Sequence, residues 1–321
     1  MPKRTKKLKA IDLFAGIGGI RKGFEDAGFE IVYSNDFDEH AAKTYKHNFG
    51  EIDTTDIRKV DERRLPHFDV LLAGFPCQAF SIAGQRRGFA DTRGTLFFEI
   101  ERFLTYHKPK AFLLENVRSL ENHDKGRTLQ TMLSVLRKKL NYDVHYEILN
   151  AKEFGLAQNR PRIYFVGFKK KTSFKFPKGN GRVALKTILE KNVAPKYYIS
   201  QKYFEGLENH RKRHEGKGNG FGYQILDPNG VSNALVVGGM GRERNLVRDT
   251  PILVYKPGSD KLKYKNPLGA RKLTIRECAR LQGFPDDFLF PVFNTHAYKQ
   301  LGNSVAIPVI KAIAQEMKKH L

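Results

Sequence analysis

The chain has 321 residues, of which 40% are hydrophobic and 12% aromatic, enough apolar surface to offset chain entropy and to exclude a disordered segment. Its formal charge of +23 at pH 7 points to a polyanionic partner, with nucleic acid expected and a merely Lys-rich, soluble surface as the alternative. Two cysteines, Cys77 and Cys278, exclude a disulfide framework and a four-thiolate metal site; with no secretion-type leader after the basic start and no membrane-length apolar run, a reducing cytoplasm is expected.

Five short apolar runs in the first half have the length and composition of buried strands: KAIDLF (Lys9–Phe14), EIVYSN (Glu30–Asn35), DVLLAG (Asp69–Gly74), AFLLEN (Ala111–Asn116) and RIYFVGF (Arg162–Phe168). The stretches between them are long enough for crossover helices, so the expected class is α/β, a doubly wound, mostly parallel sheet. From about Gly179 the texture turns to Lys, Gly and Asn, as in HRKRHEGKGNGFGY (His210–Tyr223) and VVGGMGRERNLVRD (Val236–Asp249). Regular periodicity is lost there, which predicts a smaller domain of strands and loops. Helical order returns in RKLTIRECARLQGFPDDF (Arg271–Phe288). Thr274 and Glu277 have capping-box spacing, Ile275, Cys278 and Ala279 share a face, and Gly283 then Pro285 end the helix. A last amphipathic helix is expected from about Ala306 to Lys318, with Pro308 in its first turn.

The first expected strand leads into Gly16, Gly18 and Gly19, which let the backbone turn tightly and approach a ligand closely before a helix begins. About twenty residues on, Asp36 is placed to accept from ribose hydroxyls and Phe37 to lie against an adenine ring. The spacing G-x-G-G differs from the G-x-G-x-x-G of dinucleotide sites and favours an adenosine cofactor without pyrophosphate, which describes S-adenosylmethionine. A ligand-free strand-to-helix turn would use the same glycines.

Ligands of open α/β sheets bind beyond the carboxyl ends of the strands, and the unusual residues of this chain follow Phe14, Asn35, Ala73 and Leu114. Cys77 comes after the third end and Glu115 with Asn116 after the fourth, so a thiol and a carboxylate are expected in one cleft. The polar, basic segment from Gln78 to Thr95 would keep Cys77 accessible with a lowered pKa. Cys278, on the apolar face of a helix, reads as core. Glu115, half desolvated after AFLL, sits where an acid is tuned toward neutral pH. Arg160 and Arg162 alternate into a strand and so share a face, able to clamp a carboxylate, a phosphate or a base edge, or to stand as surface arginines without a role.

Taken in order, these motifs resemble those of the bacterial DNA (cytosine-5) methyltransferases of restriction-modification systems, over nearly the whole chain. The matching stretches are DLFAGIGG, NDFD, TDI (Thr55–Ile57), GFPCQAFS, DTRGTLFFEI, ENV (Glu115–Val117), QNRPRIYFVGF, RKLTIRECARLQGFPDDF and QLGNSV (Gln300–Val305). Only Arg182 to Ala270 lacks a strong family motif, and there the family keeps its variable target-recognition domain. The resemblance thus implies a catalytic and cofactor-binding domain of residues 1–180 with 271–321, and a recognition domain of 181–270.

It also implies a mechanism. Cys77 would add as a thiolate to carbon 6 of a flipped-out cytosine, so that carbon 5 can take the methyl group of S-adenosylmethionine. Glu115 would hold or protonate ring nitrogen 3, with Arg162, and with it Arg160, holding the carboxylate and the base. Cofactor contacts would come from Phe14, Gly16, Gly18, Asp36, Phe37, Asp56, Ile57, Pro76, Leu96, Asn303 and Ser304, with no metal. DNA contacts would come from Gln78, Ser81 and Arg93 in the loop after the cysteine and from Gly239, Arg242 and Arg244. For Arg242 and Arg244 a phosphate contact is at least as well supported as a guanine contact. Two departures stand out: Asp36 occupies a position where Glu is common, and Ala83 one where some relatives insert a serine into the duplex. A monomer on double-stranded DNA is the expected setting; a cognate restriction endonuclease in the same organism is a candidate partner that the sequence leaves open. A tRNA cytosine methyltransferase, a catalytically silent DNA-binding relative and a nicotinamide oxidoreductase are the alternatives; the long recognition segment, the intact Cys77, Glu115 and Arg162, and the glycine spacing argue against each in turn.

Overall fold

A computed structural model describes residues 7–75, 96–215, 223–237, 242–249 and 269–321. Its strands are β1 (Lys9–Leu13), β2 (Glu30–Asn35), β3 (Val70–Gly74), β4 (Ala111–Val117), β5 (Asp143–Asn150), β6 (Gln158–Asn159), β7 (Pro161–Phe168), β8 (Ile225–Leu226), β9 (Ser232–Asn233), β10 (Leu246–Arg248) and β11 (Ala270–Lys272). Its helices are α1 (Gly19–Asp26), α2 (Glu39–Phe49), α3 (Leu96–His107), α4 (Arg127–Ser134), α5 (Gln201–Glu215), α6 (Ile275–Gln282), α7 (Asn294–Asn303) and α8 (Ile307–Lys318).

The five apolar runs all become strands of one six-stranded sheet, in the order β2-β1-β3-β4-β7-β5. The β1/β2, β1/β3 and β3/β4 pairs are parallel, whereas β7 runs antiparallel to β4 and to β5. Side chains alternate across the sheet and so build two apolar layers. Ile11, Leu13, Leu71, Phe112, Leu114 and Phe165 face α3 and α4, meeting Phe97, Phe103 and Met132. Ala10, Val70, Leu72, Leu113, Tyr164 and Val166 face α1 and α8, meeting Phe24, Ile310 and Ile313. A Cβ on Gly23 would come within 2.5 Å of the Ile310 side chain, so this glycine sets how closely α1 and α8 pack.

Strand β5 departs from the sequence expectation. DVHYEILN is an edge strand, half-exposed and mixed in polarity, and therefore lacks the apolar run that marks the buried strands. Between residues 181 and 270 short strands β8, β9 and β10 appear; β8 and β10 form a small sheet with β11, which runs on past residue 270, and β9 pairs with β6. The same segment also carries the fifteen-residue helix α5, which the loss of periodicity did not announce. It joins that sheet through a small apolar cluster of Ile199, Leu207, Leu246 and Ala270. Helix α6 has its full capping box, with Thr274 accepting from Glu277 N and Glu277 from Thr274 N, and ends at Gly283 with φ 84°. Among the described residues no helix is long and apolar enough to cross a membrane.

Candidate active site

The carboxyl ends of β1, β2, β3 and β4 open on one side of the sheet, and because β7 is antiparallel its first residues lie at that same side. The β1 end is conformationally strained. Phe14 has φ 57°, a left-handed conformation that disfavours a bulky residue by about 1–2 kcal/mol. It is held there by Ala15 N donating to Asn35 O at 3.0 Å and Gly16 N donating to Asp36 Oδ2 at 2.8 Å. Gly18 follows at φ 86°, and a side chain on it would strike the Phe49 ring. A Cβ on Gly19 would stand 2.8 Å from Ser304 Oγ and 2.9 Å from Val305 Cγ2. Motifs nearly three hundred residues apart therefore touch: the glycine turn and the Asn303–Ser304 segment between α7 and α8.

Asp36 is fixed by a second backbone donor, Asp38 N at 2.9 Å, while Lys299 of α7 pairs with Asp38 at the same distance. Burial pushes the Asp36 carboxyl up, and the Asp38 and Gly16 N–H groups pull it back. Beside it the Phe37 ring is 67% exposed, presenting an apolar face. Asn35 Nδ2 donates to the carbonyls of Asp53 at 3.1 Å and Thr55 at 2.8 Å, which brings the TDI motif to the same rim. There Ile57 is buried and Asp56 pairs with Arg58, which holds its carboxyl down at about 2. Leu96 opens α3, half-buried against the sheet core.

Sequence reasoning missed Asp12. It lies inside β1, fully buried, and neither carboxylate oxygen has a hydrogen-bond partner among the described residues. Burial pushes its carboxyl up to about 8, an effect that the Arg21 N–H, short of hydrogen-bond geometry, and the Arg21 guanidinium offset only in part. The one available signal was an acid in the middle of an otherwise apolar strand. The glycine turn lets a ligand approach the backbone, Asp36 is placed to accept from ribose hydroxyls and the exposed Phe37 ring offers an apolar face, so the residues present fit S-adenosylmethionine.

On the other side of the opening stands Glu115, buried at the end of β4 and opposite Gly74 in the β3/β4 register. Arg162 Nε lies 3.3 Å from Glu115 Oε1. Burial pushes the Glu115 carboxyl up, and Arg162 and then Arg160 draw it back. Asn116 Nδ2 donates to Phe75 O at 2.9 Å, anchoring the chain two residues before Cys77.

The expected pair of guanidiniums divides its labour. Arg162 faces Glu115, whereas Arg160, 2% exposed, donates to the carbonyls of Leu235, Gly302 and Ser304. Arg242 and Arg244 are exposed, with the Arg242 guanidinium 5.1 Å from the centre of the Tyr298 ring. Cys278 is a buried free thiol, pushed up by desolvation, in agreement with its reading as core. Pro76, Cys77, Gln78, Ser81, Ala83, Arg93 and Gly239 lie outside the described residues.

A sequence profile described as C-5 cytosine-specific DNA methylase matches residues 8–319. The chain belongs to this family. It is therefore a DNA cytosine-5 methyltransferase. The methyltransferase is 51% identical to the Type II methyltransferase M.HpaII of Haemophilus parainfluenzae, across 100% of this chain and 92% of that protein. It is 46% identical to the Type II methyltransferase M.DsaV of Dactylococcopsis salina, across 98% and 87% respectively. In fold it is similar to a DNMT2 mutant from Spodoptera frugiperda, with a TM-score of 0.75 at 20% identity over 97% of this chain and 100% of the other.

Proposed function

We propose that this methyltransferase acts on a cytosine flipped out of a short, specific sequence in double-stranded DNA, using S-adenosylmethionine and a covalent adduct between Cys77 and carbon 6. The observation that carries the reading is the buried Glu115–Arg162 pair at the end of β4, beside the β3 end that runs on to Cys77 and across the opening from the glycine turn.

Carbon 5 of cytosine is a poor nucleophile. Addition of the Cys77 thiolate to carbon 6 turns the ring into an enamine, and the negative charge that develops toward nitrogen 3 is met by a proton from Glu115. Burial pushes the Glu115 carboxyl up, the direction that favours its acid form and so suits this role. Arg162 keeps the carboxyl aligned and takes up charge at the base. When bound, S-adenosylmethionine supplies an electrophilic methyl group. The proton on carbon 5 is then lost to water, the proton on nitrogen 3 returns to Glu115, and the thiolate leaves from carbon 6 by elimination, restoring the aromatic ring, the acid and the free cysteine.

Asp36 and Phe37 would hold the ribose and adenine, with Phe14, Asp56, Ile57, Pro76 and Leu96 around them. Asp12, Gly16, Gly18, Asn303 and Ser304 would hold the methionine end. Flipping costs a few kcal/mol of lost stacking and pairing, which contacts from Gln78, Ser81 and Arg93 and from Gly239, Arg242 and Arg244 would offset. Residues 181–270 would form the recognition domain and 1–180 with 271–321 the catalytic one. The setting is a monomer on cytoplasmic DNA.

Incubation with unmethylated genomic DNA and S-adenosylmethionine, followed by single-base mapping of 5-methylcytosine, tests the proposal. The expected result is methylation confined to one short motif. Unmodified DNA from a folded, cofactor-binding protein would overturn it.

A further inference from the structure

Arg160 joins three parts of the molecule that the chemistry must bring together. Its guanidinium is buried, yet the groups that meet it are backbone carbonyls from distant segments: Leu235 O at 2.7 Å from Nη1, Gly302 O at 3.0 Å from Nη2, and Ser304 O, also from Nη2. Leu235 lies between β9 and the stretch that leads to Arg242 and Arg244. Gly302 and Ser304 lie where α7 passes into α8, and Ser304 is the residue that meets Gly19.

Neighbouring contacts make the joint rigid. Leu235 N donates to Gln158 Oε1 at 3.0 Å, so both polar backbone atoms of Leu235 are held by side chains from one short stretch, 158–160. Gln158 Nε2 donates to Leu281 O at 2.7 Å, and Gln282 Nε2 donates to Leu301 O at 2.6 Å. A Cβ on Gly302 would come 2.9 Å from Val237 Cγ2 and 3.1 Å from the Val236 carbonyl carbon, so the 235–237 segment lies directly on the 302–304 segment. Two residues further along the chain from Arg160, Arg162 faces Glu115.

A buried guanidinium is expensive to desolvate unless its donors are used, and burial here pushes that of Arg160 down to about 9. A simple packing role would be filled more cheaply by an apolar side chain. What the arginine adds is a fork that holds two carbonyl-bearing segments in one relative position.

We infer that Arg160 is a positioning residue that couples seating of DNA on the recognition segment to closure of the Gly302–Ser304 segment on the cofactor. This rests on the reading under Proposed function. Binding of one ligand fixes its segment, and through Arg160 fixes the other, so each ligand should tighten the other by the same factor.

The test is calorimetric titration of S-adenosylhomocysteine into the protein, with and without a duplex carrying the methylated motif, for the wild type and for Arg160→Lys. A lysine reaches one carbonyl where the arginine bridges two segments. In the wild type, duplex should tighten the cofactor product at least fivefold. In Arg160→Lys that factor should fall to within twofold of one, while affinity in the absence of DNA changes less than threefold. A purely structural role would lower the melting temperature and leave the ratio intact, so an unchanged ratio overturns the inference, as does a wild type without coupling. Should Arg160→Lys fail to fold, Gly302→Ala, which keeps the arginine but pushes Val236 and Val237 away from the 302–304 segment it holds, is expected to uncouple the ligands in the same way. A retained ratio there also overturns the inference. A wild type that binds neither ligand would instead count against the proposed function itself.

Discussion

Replacing Asp12 with asparagine should make the cofactor-free methyltransferase insensitive to a pH change that weakens the wild type. The carboxyl is fully buried and has no hydrogen-bond partner among the described residues, and burial pushes it up from 3.8 to about 8. Below the unfolded value the group is protonated in both states and contributes nothing. As pH rises past it, the unfolded chain releases a proton that the folded chain keeps, and the stability of the fold falls until about pH 8. The slope is about 1.4 kcal/mol per pH unit, and over the range from 3.8 to about 8 the loss approaches 5–6 kcal/mol. This is comparable to the whole stability of a modest domain. Asp12→Asn removes the titration, so the variant should gain on the wild type by roughly 1.5 kcal/mol at pH 5 and several kcal/mol at pH 8.5, apart from a constant offset of about 1 kcal/mol for the amide. Urea unfolding of cofactor-free protein at intervals from pH 5 to 8.5 reads the difference directly. Addition of S-adenosylmethionine, a cation, should flatten the wild-type curve and raise that of the variant without changing its slope. Parallel curves for the two proteins would refute the reasoning, because they would mean that Asp12 ionises as freely in the fold as outside it.

Three further substitutions separate chemistry from scaffold. Glu115→Gln should lower single-turnover methyl transfer on the order of 10²- to 10⁴-fold while DNA affinity stays within a few-fold, since the amide has no proton to give nitrogen 3. Gly19→Ala should weaken cofactor binding at least tenfold in titration and destabilise the fold by about 1–3 kcal/mol, because its methyl group would stand 2.8 Å from Ser304 Oγ. Cys77→Ser should abolish transfer and keep specific DNA binding, whereas Cys278→Ala, deep in the core, should keep activity at a cost of about 1 kcal/mol in urea unfolding.

What the sequence revealed tracks how local each signal is. The inner strands β1, β3, β4 and β7 were legible because a strand covered on both faces is apolar along its length, the edge strand β2 because EIVYSN still carries a short Ile-Val-Tyr run, and α6 because its cap and its terminating glycine are written within ten residues. Strand β5 was not, since an edge strand shares its mixed polarity with loops. Helix α5 was missed for a related reason: QKYFEGLENHRKRHE carries few apolar residues and packs through little more than Leu207 and Phe204, so no stripe marks it. The site divides in the same way. Glycine spacing, Asp36 with Phe37, and Glu115 after a strand each have a nearby pattern. Asp12 has none beyond an acid in an apolar run, and the role of Arg160 depends on carbonyls 75, 142 and 144 residues away, which only the fold brings to it.

The central claim is that Cys77 bonds to carbon 6 during transfer. A duplex carrying the methylated motif with 5-fluorocytosine at the target position tests it, because fluorine in place of the carbon 5 proton cannot leave as a cation and the adduct is trapped. With S-adenosylmethionine present, the account predicts a complex that survives denaturation and, after digestion, a nucleotide on the peptide containing Cys77. An enzyme that methylates the normal duplex yet forms no such complex, or carries the nucleotide on another residue, would contradict it.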